Sequence, residues 1–186
     1  LIDGGLAWLG SCILKEFCVQ TPWVTDGVLF NFPYRGQVRI YARHHATLAD
    51  ESALHQFLGV KGASGNKLCH KHRNVVRKAC ELDGDGYHVP HDCADVAMFQ
   101  KETDNGLYHA ADTLTAAFGM NSTVEQKQML EIAFGLNYSP HGPLFDRSLR
   151  PFFRPVSGTR FDPMHVFFAN GVVQVELSAF FAHAAL

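Results

Sequence analysis

The order of patterns along the chain predicts an α/β or α+β fold with few strands. Apolar residues at helical spacing open it, two short β-like runs follow, and helix signals dominate the second half. Hydrophobic residues make up 47% of the 186 residues and charged residues 18%. That is enough apolar mass for a core and too apolar a composition for general disorder.

Leu6, Leu9, Ile13 and Phe17 predict an amphipathic helix over residues 5–18, with Pro22 helping to end it. Residues 28–32 and 38–42 are β-like and flank Pro33-Tyr34-Arg35-Gly36, which predicts a hairpin. Strand character ends near Leu48. Asp50-Glu51-Ser52 then opens a short helix through Phe57 or Leu58, with acidic residues in its first turn. Residues 59–68 form a Gly-rich loop, and residues 80–95 carry turn signals at Asp83-Gly84 and Asp85-Gly86. Leu107, Ala111, Leu114 and Phe118 mark a helix between Gly106 and Gly119. Ser122-Thr123-Val124-Glu125 reads as a capping box for the next helix, which Gly135 ends. Residues 137–161 hold four of the eight prolines and show little periodicity. A last helix is expected from Pro163, with Asp162 at its N-cap.

Several classes are disfavoured. A net charge of −2 argues against a uniformly basic nucleic-acid binder. No Walker-type phosphate loop and no Gly-x-Ser-x-Gly elbow occurs. The longest apolar run, 166–186, contains Asn170, Gln174, Glu176 and His183, which makes a poor membrane span. No basic segment precedes an apolar one, so no signal peptide is expected. Five cysteines at irregular spacing fit free or metal-bound thiols in a reducing compartment. Both ends read as cuts within a longer protein.

Four features carry candidate chemistry. Cys69-His70-Lys71-His72 places a thiolate and an imidazole on one tight turn, half of a tetrahedral zinc site. His91, Cys93 and His165 are candidates for the remaining ligands. The competing reading is a buried Cys69 and a solvated His72. Asp50 stands where a strand hands over to a helix, a usual place for a carboxylate that holds Mg²⁺, although taken alone it reads first as an ordinary N-cap. His165 follows Asp162-Pro163-Met164, and Glu176 is the lone acid of the last apolar segment. Lys61, Lys67, Lys71, Arg73, Arg77 and Lys78 lie in a stretch without any acid, a candidate phosphate-binding face or a merely solvated one. Arg147, Arg150, Arg154 and Arg160 form a second basic group.

The ordered set Asp50-Glu51-Ser52-Ala53-Leu54, Gly59-Val60-Lys61-Gly62-Ala63-Ser64-Gly65, Cys69-x-x-His72 and Phe161-Asp162-Pro163-Met164-His165 resembles eukaryotic cut-and-paste transposases of the RNase H-like DDE/D superfamily. CACTA/EnSpm-like elements and related transposon-derived proteins are the nearest groups. The resemblance spans about residues 36–180. It implies a partial RNase H-like core in residues 1–58, a Gly-rich and zinc-type segment in 59–105, and a mainly helical region in 106–186. It implies that Asp50 is the second catalytic Asp, that Cys69 and His72 form the zinc-type pair, and that His165 is a further zinc ligand. The family usually has Cys where His72 stands. Glu176 is the available third acid, and the first Asp is expected upstream of Leu1. The resemblance further implies structural zinc, catalytic Mg²⁺, a DNA partner, a nuclear location and an oligomer in the parent protein. Two-metal phosphoryl transfer is the implied chemistry, with the isolated piece inactive. The alternative is a non-catalytic zinc-stabilised module that binds nucleic acid or protein. A soluble α/β enzyme with a thiol site is the third reading.

Overall fold

The computed structural model describes residues 5–21, 23–77 and 95–164. Helix α1 (Gly5–Lys15) runs into a single π-helical segment, Glu16–Gln20, closed by the Thr21 hydroxyl donating to the Phe17 carbonyl at 2.9 Å. The buried face of this unit is Ala7, Gly10, Ser11, Leu14 and Cys18, whereas Leu6 and Ile13 are exposed. The expected stripe of Leu6, Leu9, Ile13 and Phe17 is therefore rotated by one residue. The reason is steric. A β-carbon at Gly10 would lie 2.1 Å from the Phe57 ring, so only the small-residue face lets α1 approach its neighbour.

Strands β1 (Val28–Phe32) and β2 (Gly36–Ile40) form the expected antiparallel hairpin, with Val28 opposite Ile40 and Phe30 opposite Val38. Tyr34 takes the left-handed conformation in its turn, φ 72°. Strand β3 (Thr47–Ala49) precedes helix α2 (Glu51–Leu58), which buries Leu54, Phe57 and Leu58 and ends on left-handed Gly59. Helix α3 (Asp104–Gly119) is capped by Thr103, whose side chain accepts from the Gly106 N–H. Helix α4 (Val124–Phe134) is opened by a capping box of Thr123 and Gln126, one residue later than the expected box that begins at Ser122. The register moves because Thr123 has the extended backbone a cap requires, with φ −68° and ψ 162°. Gly135 ends α4 in the left-handed region, as expected.

The aperiodic stretch 137–161 contains a short 3-10 turn, Arg147–Leu149, and strand β4 (Thr159–Phe161), which the sequence reading missed. It also supplies much of the core. Leu144, Leu149 and Phe153 are fully buried and pack with Leu58, Leu107, Ala111, Leu114 and Leu136. Burial here follows no helical or strand period, so pattern analysis could not find it. Strand β4 pairs in parallel with β3, Thr47 opposite Thr159 and Ala49 opposite Phe161. Among the described residues the sheets are these two pairs, and the molecule is a mixed helix and strand fold. No described helix is long and apolar enough to cross a membrane.

Candidate functional site

The parallel pairing of β3 and β4 decides what stands at their ends. Asp50 follows Ala49, and Asp162 follows its partner Phe161. The Asp162 N–H donates to the Ala49 carbonyl at 2.8 Å, so the two aspartates leave neighbouring strands at the same level. Each carboxylate also holds a backbone turn. Asp50 Oδ1 accepts from the Ala53 N–H at 2.6 Å, and Asp162 Oδ1 accepts from the Met164 N–H at 2.9 Å. Both are half-buried. They border one open cleft of about 1180 Å³ that Glu51, His55, Lys61 and Cys69 also line. His55 reaches Glu51 at 3.7 Å, and burial lowers its pKa against the pull of that carboxylate. Lys61 is paired with Glu131 at 3.3 Å, with both side chains mostly buried.

The Cys69–His72 turn reaches this cleft through Cys69. Cys69 Sγ lies 3.6 Å from His72 Nδ1 and accepts the Lys71 backbone N–H at 3.3 Å. Zinc bonds of about 2.3 Å to sulfur and about 2.05 Å to nitrogen, at the tetrahedral angle, set those two atoms about 3.6 Å apart. The pair therefore fits two adjacent corners of a zinc site. Burial lowers the His72 pKa, then the Lys101 and Lys71 charges lower it further, which favours the neutral ligand form. Among the described residues no group of three or more His, Cys, Asp or Glu side chains is arranged to hold a metal. His91, Cys93, His165 and Glu176 lie outside the described residues, as does Lys78.

Buried polar contacts fix this turn to the start of β4. His70 Nε2 meets the Thr159 hydroxyl at 3.2 Å, and that hydroxyl donates to the Pro155 carbonyl at 2.8 Å. Lys71 Nζ donates to the carbonyls of Val156 and Thr159 and to the Thr159 hydroxyl. Burial, then the nearby Lys71 charge, pushes the His70 pKa down to about 3, so this ring is neutral. The thiol–imidazole turn, β4 and Asp162 thus form one connected unit.

The basic stretch is more internal than its composition implies. Lys71 points into the protein and Lys61 is ion-paired. Arg77 donates to the Ala63 carbonyl at 2.7 Å, and Arg73 Nε donates to Gln100 Oε1 at 3.1 Å, though both residues are exposed. Lys67 is half-buried. Asp162 is the residue that sequence reasoning assigned only to capping. Its signal was a repetition: Thr-x-x-Asp before a helix-start signal, occurring once at Thr47–Asp50 and again at Thr159–Asp162. No family model, curated protein or solved structure matches the chain.

Proposed function

We propose that the chain is part of a nucleic-acid strand-cleavage and transfer domain of the RNase H-like DDE/D transposase type, nuclear and DNA-directed, and inactive as an isolated piece. The observation that carries the reading is the placement of Asp50 and Asp162 after two paired parallel strands, on one cleft. Carboxylates so placed are held by backbone rather than by flexible side-chain packing, which suits them to divalent cations. Asp50 and Asp162 would hold Mg²⁺ together with acids outside the described residues, Glu176 among the candidates. When bound, such ions supply an activated water or 3′-hydroxyl and stabilise the leaving oxygen. The chain's own contribution is to fix the two carboxylates through their caps and to brace β4 through Lys71, His70 and Thr159.

The exchanges Asp50→Asn and Asp162→Asn in the full-length parent test this reading. Asn caps a helix about as well as Asp, so the fold is retained while the anionic ligand is lost. Metal-dependent cleavage is expected to fall about 100-fold or more, equivalent to about 2.7 kcal/mol of transition-state stabilisation. Undiminished cleavage by both variants would show the two aspartates to be caps alone.

The second reading is a zinc-stabilised binding module without catalysis, favoured by the Cys69–His72 spacing. A parent that binds DNA, contains zinc and never cleaves in Mg²⁺ or Mn²⁺ decides for that reading.

A further inference from the structure

A second cleft, of about 470 Å³, opens at the amino ends of β3 and β4, the end opposite Asp50 and Asp162. Three residues of strand advance about 10 Å, so the two clefts are close but distinct. Its walls come from the loop before β3, the segment before β4 and β4 itself: Arg43, His44, His45, Phe152, Arg154 and Arg160 line it, and among the described residues no Asp or Glu does. In a chain of net charge −2 this is a pronounced local excess of positive charge.

Among the described residues, none of the three arginines is held in a direct ion pair. Arg43 and Arg154 are exposed and make no hydrogen bond or ion pair through their side chains among the described residues. Arg160 is anchored by one terminal nitrogen, which donates to the carbonyls of Ser157 at 2.6 Å and Thr159 at 2.8 Å. Its anchors are neutral, so its charge remains available. Asp104 accepts the N–H groups of Val156 and Ser157 and the Ser157 hydroxyl, and against the effect of burial these bonds, with the Arg154 charge, lower its pKa. It serves the backbone of the cleft wall and does not line the cleft. Asp112 is engaged by Arg147 and Arg150 and does not line it. The Lys71 ammonium lies behind Thr159 and adds to the positive field.

We propose that this cleft binds the phosphodiester backbone of a single-stranded nucleic acid. Arginine forks match phosphate oxygens in pairs. The half-buried Phe152 and the rim guanidinium groups give a nucleobase apolar and planar surfaces to stack on. A concave site of this volume is in the range of small-ligand pockets, about 300–1,000 Å³, and takes one nucleotide rather than the face of a duplex. Binding here requires neither divalent ions nor the aspartates of the other cleft, so it stands or falls separately from the cleavage reading.

The experiment is fluorescence anisotropy of a labelled twelve-nucleotide oligothymidylate titrated with the 186-residue chain, across a salt series without added divalent ions. The wild-type chain is expected to bind at low salt and to weaken as salt rises. Arg43→Glu with Arg154→Glu should weaken binding about tenfold or more, and the log–log salt slope should fall by about 1.4, the value for two lost single-strand phosphate contacts. Arg73→Glu with Arg77→Glu should leave affinity within about twofold. The neutral pair Arg43→Gln, Arg154→Gln gives the same direction if charge reversal disturbs folding, which circular dichroism monitors. Unchanged affinity and slope in both arginine pairs overturns the proposal. So does loss confined to the Arg73, Arg77 pair, or a wild-type chain that binds inorganic phosphate but not the oligonucleotide.

Discussion

Asp112 on α3 shows how one side chain can tie an aperiodic segment to a helix. Its Oδ1 accepts from Arg147 at 2.9 Å and Arg150 at 2.7 Å, and its Oδ2 accepts from Arg150 at 2.8 Å. Arg150 also lies over the Tyr108 ring, 4.7 Å from its centre. The hydrogen bonds from Arg150, with those from Arg147, hold the Asp112 carboxyl down to about 2. A depressed carboxylate contributes stability above its unfolded pKa of about 3.9 and loses it as pH falls through the folded value. With Asp112 32% and Arg147 73% exposed, solvent screening keeps the contribution modest. Asp112→Asn should therefore cost about 1 kcal/mol at pH 7. That difference should shrink from pH 4 downward, be mostly lost at pH 2 and vanish below it. Urea unfolding at pH 7, 4 and 2 reads it, and a penalty that persists unchanged at pH 2 contradicts the ion-pair origin.

At the scale of elements, the end of α4 sets the position of the chain leading into Cys69. Gly135 has φ 66°, and a β-carbon there would stand 2.3 Å from the Lys67 carbonyl oxygen. The Asn66 N–H donates to the Ile132 carbonyl at 2.6 Å and the Lys61 N–H to the Gly135 carbonyl at 2.8 Å. Gly135→Ala adds left-handed strain to a backbone clash and should cost about 2–4 kcal/mol. Gly119→Ala is the control: its β-carbon would meet nothing within 4 Å, and stability should stay within about 1 kcal/mol of wild type. Equal melting temperatures for the two variants would exclude the close approach at Gly135. The role of Gly135 as a helix terminator was legible in sequence, because a left-handed terminus needs glycine locally. Its contact with Lys67, 68 positions away, was not. The same division runs through the fold. Residues 51–58, 104–119 and 124–134 announce themselves by caps and spacing. The three-residue β4 and its parallel pairing with β3 depend on a partner about 110 residues distant, and so Asp50 was singled out as a candidate while Asp162 was not. The Cys69–His72 approach was readable because a three-residue turn fixes it locally.

Across the whole molecule, apolar burial is uneven, and that unevenness would make a bound zinc consequential. The main core joins α1, α2, α3 and the 136–156 segment around Leu58, Leu114, Leu144 and Phe153. The 66–77 segment lies outside that cluster and buries mostly polar groups: Asn66, His70 and Asn74, with only Val75 and Val76 as buried hydrophobics. Hydrogen bonds hold it, among them Asn74 Nδ2 to the Met98 carbonyl and the Gln100 N–H to Asn74 Oδ1, both at 2.8 Å. Such bonds contribute about 1 kcal/mol each in water, so a segment built on them opens more readily than the core. A structural zinc on Cys69 and His72 would contribute on the order of 10 kcal/mol of binding free energy to this segment. The core should fold without it. The expected result is about one zinc per purified chain by elemental analysis. Chelation should raise amide exchange in residues 66–77 while α3 stays protected, and Cys69→Ser should reproduce the chelated pattern without chelator. A metal-free protein whose exchange is unaffected by chelator would leave the 3.6 Å contact as a thiol–imidazole hydrogen bond. In that case the turn is held by its hydrogen bonds, those of Lys71, His70 and Thr159 among them.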